Sequence, residues 1–234
     1  MGRASSVLAG VLLAVLLAYY EVSTHLWREG TWWDVVWLSL VVIPAVCLLV
    51  GLALPLREHP WIGWAGVVFV GLAVIFTVAG WDVPANFSRL GATTCLGFWF
   101  LTFFDTAPMV VLVASIIPWV DIYSVWRGPT KSIVENHPHI FTIFSFAFPV
   151  PGRQDAANLG VPDLFFFALF LGAAARFGLR VRWTWVGITA SYGITIALTV
   201  WWNVDGLPAL PGVALGFLLP NADLLWKLRG RRVA

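Results

Sequence analysis

Charged side chains are scarce in this chain. Only 11% of its 234 residues are Asp, Glu, Lys or Arg, against about 25% in a soluble globular domain. That scarcity excludes an ordinary water-soluble globule. The net charge of +2 is too small to argue for a nucleic-acid partner. Cysteine is nearly missing as well. Cys47 and Cys95 both lie inside apolar runs, where they read as small buried hydrophobes. No disulfide, metal centre or cofactor is expected from them.

What fills the chain instead is apolar. Hydrophobic residues make up 60% of it, and the mean hydropathy is +0.86. This is the composition of an integral, multi-pass membrane protein whose surroundings are the lipid bilayer. The chain has room for roughly eight spans of about 20 residues, and no separate soluble domain fits beside them. Many of the 15 Trp stand near the ends of apolar runs, among them Trp32, Trp33, Trp61, Trp81, Trp183, Trp201, Trp202 and Trp226. Amphipathic rings favour the headgroup level, so these read as interface anchors.

The fold class expected is all-α and polytopic, with about eight transmembrane helices. Residues 5–20 follow a lone Arg3 and resemble a signal-peptide core. Tyr19, Tyr20 and Glu21 stand where small cleavage-site residues would be needed, so a retained short first span is expected. Residues 21–33 read as a loop. Further spans are expected at 34–54, 61–80, 86–104, 108–126, 158–178, 183–202 and 208–226. Asp105 with Pro108 makes a capped turn between two of them. The chain thus divides into N-terminal helices (1–106, about four spans) and a second group (107–234, about four spans) that contains the polar loop 127–157. Within that loop, residues 140–149 (IFTIFSFAFP) are aromatic and β-prone, and too short to span as a helix. They suit the interface, or a strand that pairs with something extended. His137-Pro138-His139 has no supporting ligand cluster and reads as solvated loop.

Basic residues set the orientation. With eight spans, one side of the membrane collects Arg3, Arg57, Arg176, Arg180, Arg182, Lys227, Arg229, Arg231 and Arg232. The other collects Arg28, Arg89, Arg127, Lys131 and Arg153. The larger group belongs inside, so both termini are expected in the cytoplasm and loop 127–157 outside.

Two acids stand out against this background. Asp121 is embedded in MVVLVASIIPWVDIYSVW, five residues before Trp126; Asp163 lies in NLGVPDLFFFALFLGAA, five residues after Asn158. In antiparallel spans both would sit roughly 7–8 Å in from the same membrane face. A charge in lipid costs about 2.5–3.5 kcal/mol, and such residues are functional candidates by default. Each has a blander reading: Asp163 as a helix cap, and Asp121 as a polar packing residue. Together they could also relay protons in a small proton-coupled transporter, although no internal repeat of spans is visible. Two carboxylates sharing a site hold one proton between them. That state suits peptide hydrolysis, with the ionised member acting as base on water and the protonated member hydrogen-bonding the scissile carbonyl. The pair titrates as a unit, so neither role belongs to one Asp. An unwound substrate at that depth needs a protein-lined cavity, and residues 140–149 could hydrogen-bond it. Pro208-Ala209-Leu210-Pro211 alone would be an ordinary helix opening.

Taken in order, these elements resemble the presenilin and signal peptide peptidase family of intramembrane aspartyl proteases. That family carries a Tyr-Asp motif, a Gly-x-Gly-Asp motif on the next span and a Pro-Ala-Leu motif near the C-terminus. Here the first is Val120-Asp121, the second Gly160-Val161-Pro162-Asp163, and the third is intact as Pro208-Ala209-Leu210. The resemblance covers about residues 108–228. It implies a presenilin-like fold in the C-terminal half, Asp121 and Asp163 as the catalytic pair, and Gly160, Val161, Pro162, Pro208, Ala209 and Leu210 as substrate-binding residues. It also implies a transmembrane peptide or protein as substrate, a small prokaryotic homologue and a plasma-membrane location. Valine replaces the tyrosine and Pro162 replaces a glycine, so an inactive relative that binds membrane helices stays open beside the enzyme.

Overall fold

A computed structural model describes residues 3–127, 143–204 and 206–228. His137-Pro138-His139 lies outside the described residues. The described chain is nearly all α, with eight helical segments and one short hairpin of strands. The helices are α1 (Arg3–Val22), α2 (Thr31–Leu56), α3 (Ile62–Val78), α4 (Asp82–Phe100), α5 (Ala107–Arg127), α6 (Val161–Arg176), α7 (Val181–Trp202) and α8 (Leu210–Lys227). The strands are β1 (Ser145–Pro149) and β2 (Ala156–Gly160).

Four helical stretches are long and apolar enough to cross a membrane: Ala4–His25, Thr31–Leu56, Ala107–Arg127 and Val181–Trp202. The helices at the other expected spans fall short for identifiable reasons. Helix α3 is apolar but has 17 residues. Helix α4 buries Asn86, Ser88, Thr93 and Thr94, and α8 carries Asn221 and Asp223. Helix α6 has 16 residues, a rise of about 24 Å against a hydrocarbon core of about 30 Å. Its expected start at 158 is wrong, because Asn158, Leu159 and Gly160 are drawn into β2.

Helix α6 is nevertheless the centre of the molecule. Leu164, Phe167 and Ala168 through Leu171 are essentially inaccessible, as are Ala173 and Ala174. A helix that is apolar on all sides belongs inside, and α6 is packed by α4, α7 and α8. Close approach is bought with glycine at Gly97, where a Cβ would lie 2.7 Å from the Phe165 carbonyl oxygen on α6. Helix α2 widens by one turn over Leu38–Val42, immediately before Pro44, whose ring cannot donate and crowds the carbonyl four residues back.

The hairpin is antiparallel, with Ala147 opposite Asn158 and Ser145 opposite Gly160. Strand β1 lies within the expected β-prone segment. Phe146 and Phe148 are buried and cluster with Tyr20 and Phe87. Its partner, however, is the chain's own β2. Its far edge is also taken. Asn86 of α4 donates to the Ala147 carbonyl at 2.9 Å and accepts from the Ala147 N–H at 2.8 Å. Arg89 donates to the Ser145 carbonyl at 3.2 Å. The polar residues that weaken α4 as a span therefore cap a strand edge. Asn86→Ala leaves the half-buried Ala147 groups unpaired and is expected to cost about 1–3 kcal/mol. Thermal unfolding in detergent checks this.

Candidate active site

Asp121 sits near the C-terminal end of α5, half-buried, and its Oδ2 accepts the N–H of Leu210 at 3.0 Å. Leu210 opens α8, where first-turn N–H groups have no partner within the helix. Ala209 and Leu210 are buried, and Pro208 precedes them. Main chain from the Pro-Ala-Leu turn thus fixes one oxygen of Asp121. Helix α8 is also the main neighbour of α5 in the fold.

Asp163 is the third residue of α6 and is buried. Its Oδ2 accepts the N–H of Gly160 at 3.0 Å, so the capping role read for it from sequence is real. It follows a strand and lies only three residues into its helix, which begins at Val161 rather than at the expected 158. Tyr192 of α7, itself buried, donates its hydroxyl to the Asp163 main-chain oxygen at 2.8 Å. Helix α8 packs against both α5 and α6, and α5 touches α6. The two pairs, Asp121 with the Pro208–Leu210 turn and Asp163 with Gly160, therefore stand on helices packed against one another.

No family model, curated protein or solved structure matches the chain.

Two positions that depart from the family pattern have simple surroundings. Val120 is 61% exposed, and successive helical side chains point about 100° apart, so it does not share Asp121's face. Pro162 occupies the first turn of α6, where a missing N–H costs nothing and a fixed φ suits the helix. Gly160 is the constrained member of the motif: a Cβ there would stand 3.0 Å from Asp163 Oδ2. Gly160→Ala is expected to push the carboxylate by a few tenths of an ångström and weaken the bond from residue 160 to Asp163. The check is faster hydrogen exchange at that amide beside an unchanged circular dichroism melt.

The hairpin adds a feature not foreseen from sequence. Both main-chain groups of Ala147 point to Asn86, so the Ala147–Asn158 pair is the non-hydrogen-bonded kind. The N–H and C=O of Asn158 consequently point away from β1, at an exposed residue. The segment 140–149 was expected to offer its edge to a substrate. Among the described residues that edge is occupied by α4; on the outer edge of β2 the Gly160 N–H is held by Asp163 and the Ala156 carbonyl by the Asn158 side chain, which leaves the Asn158 main chain open, five residues before Asp163. Tyr192 and Asn86 were also missed. Each is a lone hydrogen-bonding side chain in a long helical stretch, and its partner is main chain far away in sequence.

Proposed function

We propose that the chain is an intramembrane aspartyl protease of the presenilin and signal peptide peptidase type. It hydrolyses peptide bonds within transmembrane helices, using Asp121 and Asp163 as the dyad. The observation that carries the reading is the Asp121–Leu210 hydrogen bond, which ties the first acid to the Pro-Ala-Leu turn on a helix that also packs against α6, the helix of Asp163. A helix cap at Asp163 alone would require neither contact.

On this reading one carboxylate, ionised, takes a proton from water as the water attacks the scissile carbonyl. The other, protonated, hydrogen-bonds that carbonyl, and a proton is then delivered to the leaving amine. Asp121 is half-exposed, so its carboxyl is not sealed inside the protein. The open Asn158 main chain of β2 supports an extended substrate by strand addition, which answers the need for unwound backbone at the site. Gly160 donates to Asp163 and Leu210 to Asp121, and with Val161, Pro162, Pro208 and Ala209 beside them they serve substrate binding. The excess of basic residues on one side favours cytoplasmic termini and an outward-facing site, in a prokaryotic plasma membrane on the family resemblance.

One observation favours a second reading. Asp163 caps α6 through Gly160, which is all that an inactive, helix-binding relative would need of it. Purified full-length chain in detergent, given a tagged transmembrane peptide, separates the two. New termini identified by mass spectrometry within the apolar segment support the protease. An intact peptide that still co-purifies with the chain supports the inactive relative. Ion-coupled uptake into proteoliposomes without cleavage would identify a transporter instead.

A further inference from the structure

We infer that the ion pair between Asp34 and Arg153 is a positioning device for Asp163, locking the turn of the hairpin onto the first two helices so that β2 delivers the carboxylate to one place. The inference rests on the proposed dyad. Arg153 stands in the turn between β1 and β2, and its Nη2 lies 3.0 Å from Asp34 Oδ2 in the first turn of α2. The Asp34 side chain is only 6% exposed. Two more contacts hold the same end of the hairpin. The Gly152 N–H donates to the Ser23 carbonyl at 2.8 Å. Tyr19 of α1 donates to the Pro149 carbonyl at 2.8 Å and accepts from Trp37 of α2 at 3.2 Å. Gly152 has φ +66°, and a Cβ on it would lie 2.7 Å from the Trp27 carbonyl oxygen. Only glycine lets the turn come this close.

The consequence for the site follows from connectivity. Strand β1 is clamped by Asn86, and β1 is the strand paired with β2 among the described residues, with the turn before β2 and α6 after it. The position of β2 is set by its register with β1 and by the turn that joins them, and Gly160 at its end donates to Asp163. Asp34 Oδ1 and Arg153 Nε are buried with no hydrogen-bond partner among the described residues. The ion pair is therefore a single charge-assisted contact between these two side chains, added to the main-chain bonds at Gly152 and Pro149. This assigns the N-terminal helices, which carry none of the motifs, a part in the chemistry.

The test uses the full chain in detergent, with Arg153→Gln, Asp34→Asn and the charge-keeping Arg153→Lys. The reporter is hydrogen exchange at the Gly160 amide, which donates to Asp163 whether or not the protein is active. Arg153→Gln and Asp34→Asn are expected to speed exchange at Gly160 about tenfold while amides within α6 and α7 stay protected. In the cleavage assay both should lower kcat and spread the cut over neighbouring bonds, and Arg153→Lys should restore one cut and slow exchange. Unchanged Gly160 exchange overturns the inference. So does exchange that rises equally through the helices, since that marks support of the whole bundle. Faster Gly160 exchange with the same kcat and the same cut also overturns it. If the wild type cleaves nothing, the protease reading falls on its own, and the exchange arm still decides the role of the ion pair.

Discussion

Asp121→Asn should lower the rate of transmembrane-peptide cleavage by about 10³-fold or more, and Asp163→Asn should do the same. Proton transfer by a positioned group contributes about 10²–10⁴-fold, and neither half of a shared-proton pair works alone. Asparagine is close to isosteric. Its amide oxygen can still accept the Leu210 N–H at position 121 or the Gly160 N–H at position 163. Both variants should therefore keep the wild-type melting profile, which separates lost chemistry from lost structure. The double variant should be little worse than either single one, because groups acting as a unit are strongly non-additive. The wild-type rate should follow a bell across pH, since one carboxyl must be ionised while the other is protonated. Cleavage that persists in both single variants would remove the dyad from the reaction.

The second large effect lies away from the carboxylates. Helices α7 and α8 cross where Gly187 meets Gly216. A Cβ on Gly216 would stand 2.6 Å from the Gly187 carbonyl carbon and 2.6 Å from the Ile188 nitrogen. Main chain cannot rotate aside as a side chain can, so the helices would have to part. Gly216→Val is expected to cost about 3 kcal/mol, read as a lowered melting temperature in detergent. It should also lower activity, because α8 carries the N–H that holds Asp121. Gly71→Ala is the control: a Cβ there meets nothing within 4 Å, and alanine favours a helix over glycine by about 0.5–1 kcal/mol. A Gly216→Val protein that melts like the wild type would show that the crossing can open at no cost.

Much of the architecture was legible in the residue order. Scarce charge and long apolar runs imply helices in a membrane, and eight helical segments lie near the eight expected places. Four of them meet the requirements of length and apolarity. The other four do not meet both, for different reasons: α3 has 17 residues, α8 carries Asn221 and Asp223, and α4 and α6 are shaped by what they pack against, which hydropathy does not measure. Helix α4 spends Asn86 and Arg89 on a strand edge, and α6 lends its expected first residues to β2. The β-prone character of residues 145–149 was visible, because alternating aromatics suit a pleated strand. The identity of its partner was not, because Ala156–Gly160 carries no strong strand signal and pairs through main chain.

The candidate site divides along the same line. Sequence alone determined the residue types: two acids in apolar runs, a glycine three residues before one of them, and a Pro-Ala-Leu turn. These are local properties, set by what each neighbourhood costs in lipid. Only the tertiary structure decided which atoms meet. It placed the Leu210 N–H on Asp121, the Tyr192 hydroxyl on the Asp163 carbonyl oxygen and the Arg153 guanidinium on Asp34. It also left the Asn158 main chain of β2, rather than the edge of β1, open. The contacts to Asp121, Asp163 and Asp34 join residues 89, 29 and 119 positions apart. Side-chain and main-chain hydrogen bonds reach about 3 Å, so they form only after the helices are packed, and no spacing within one segment encodes them.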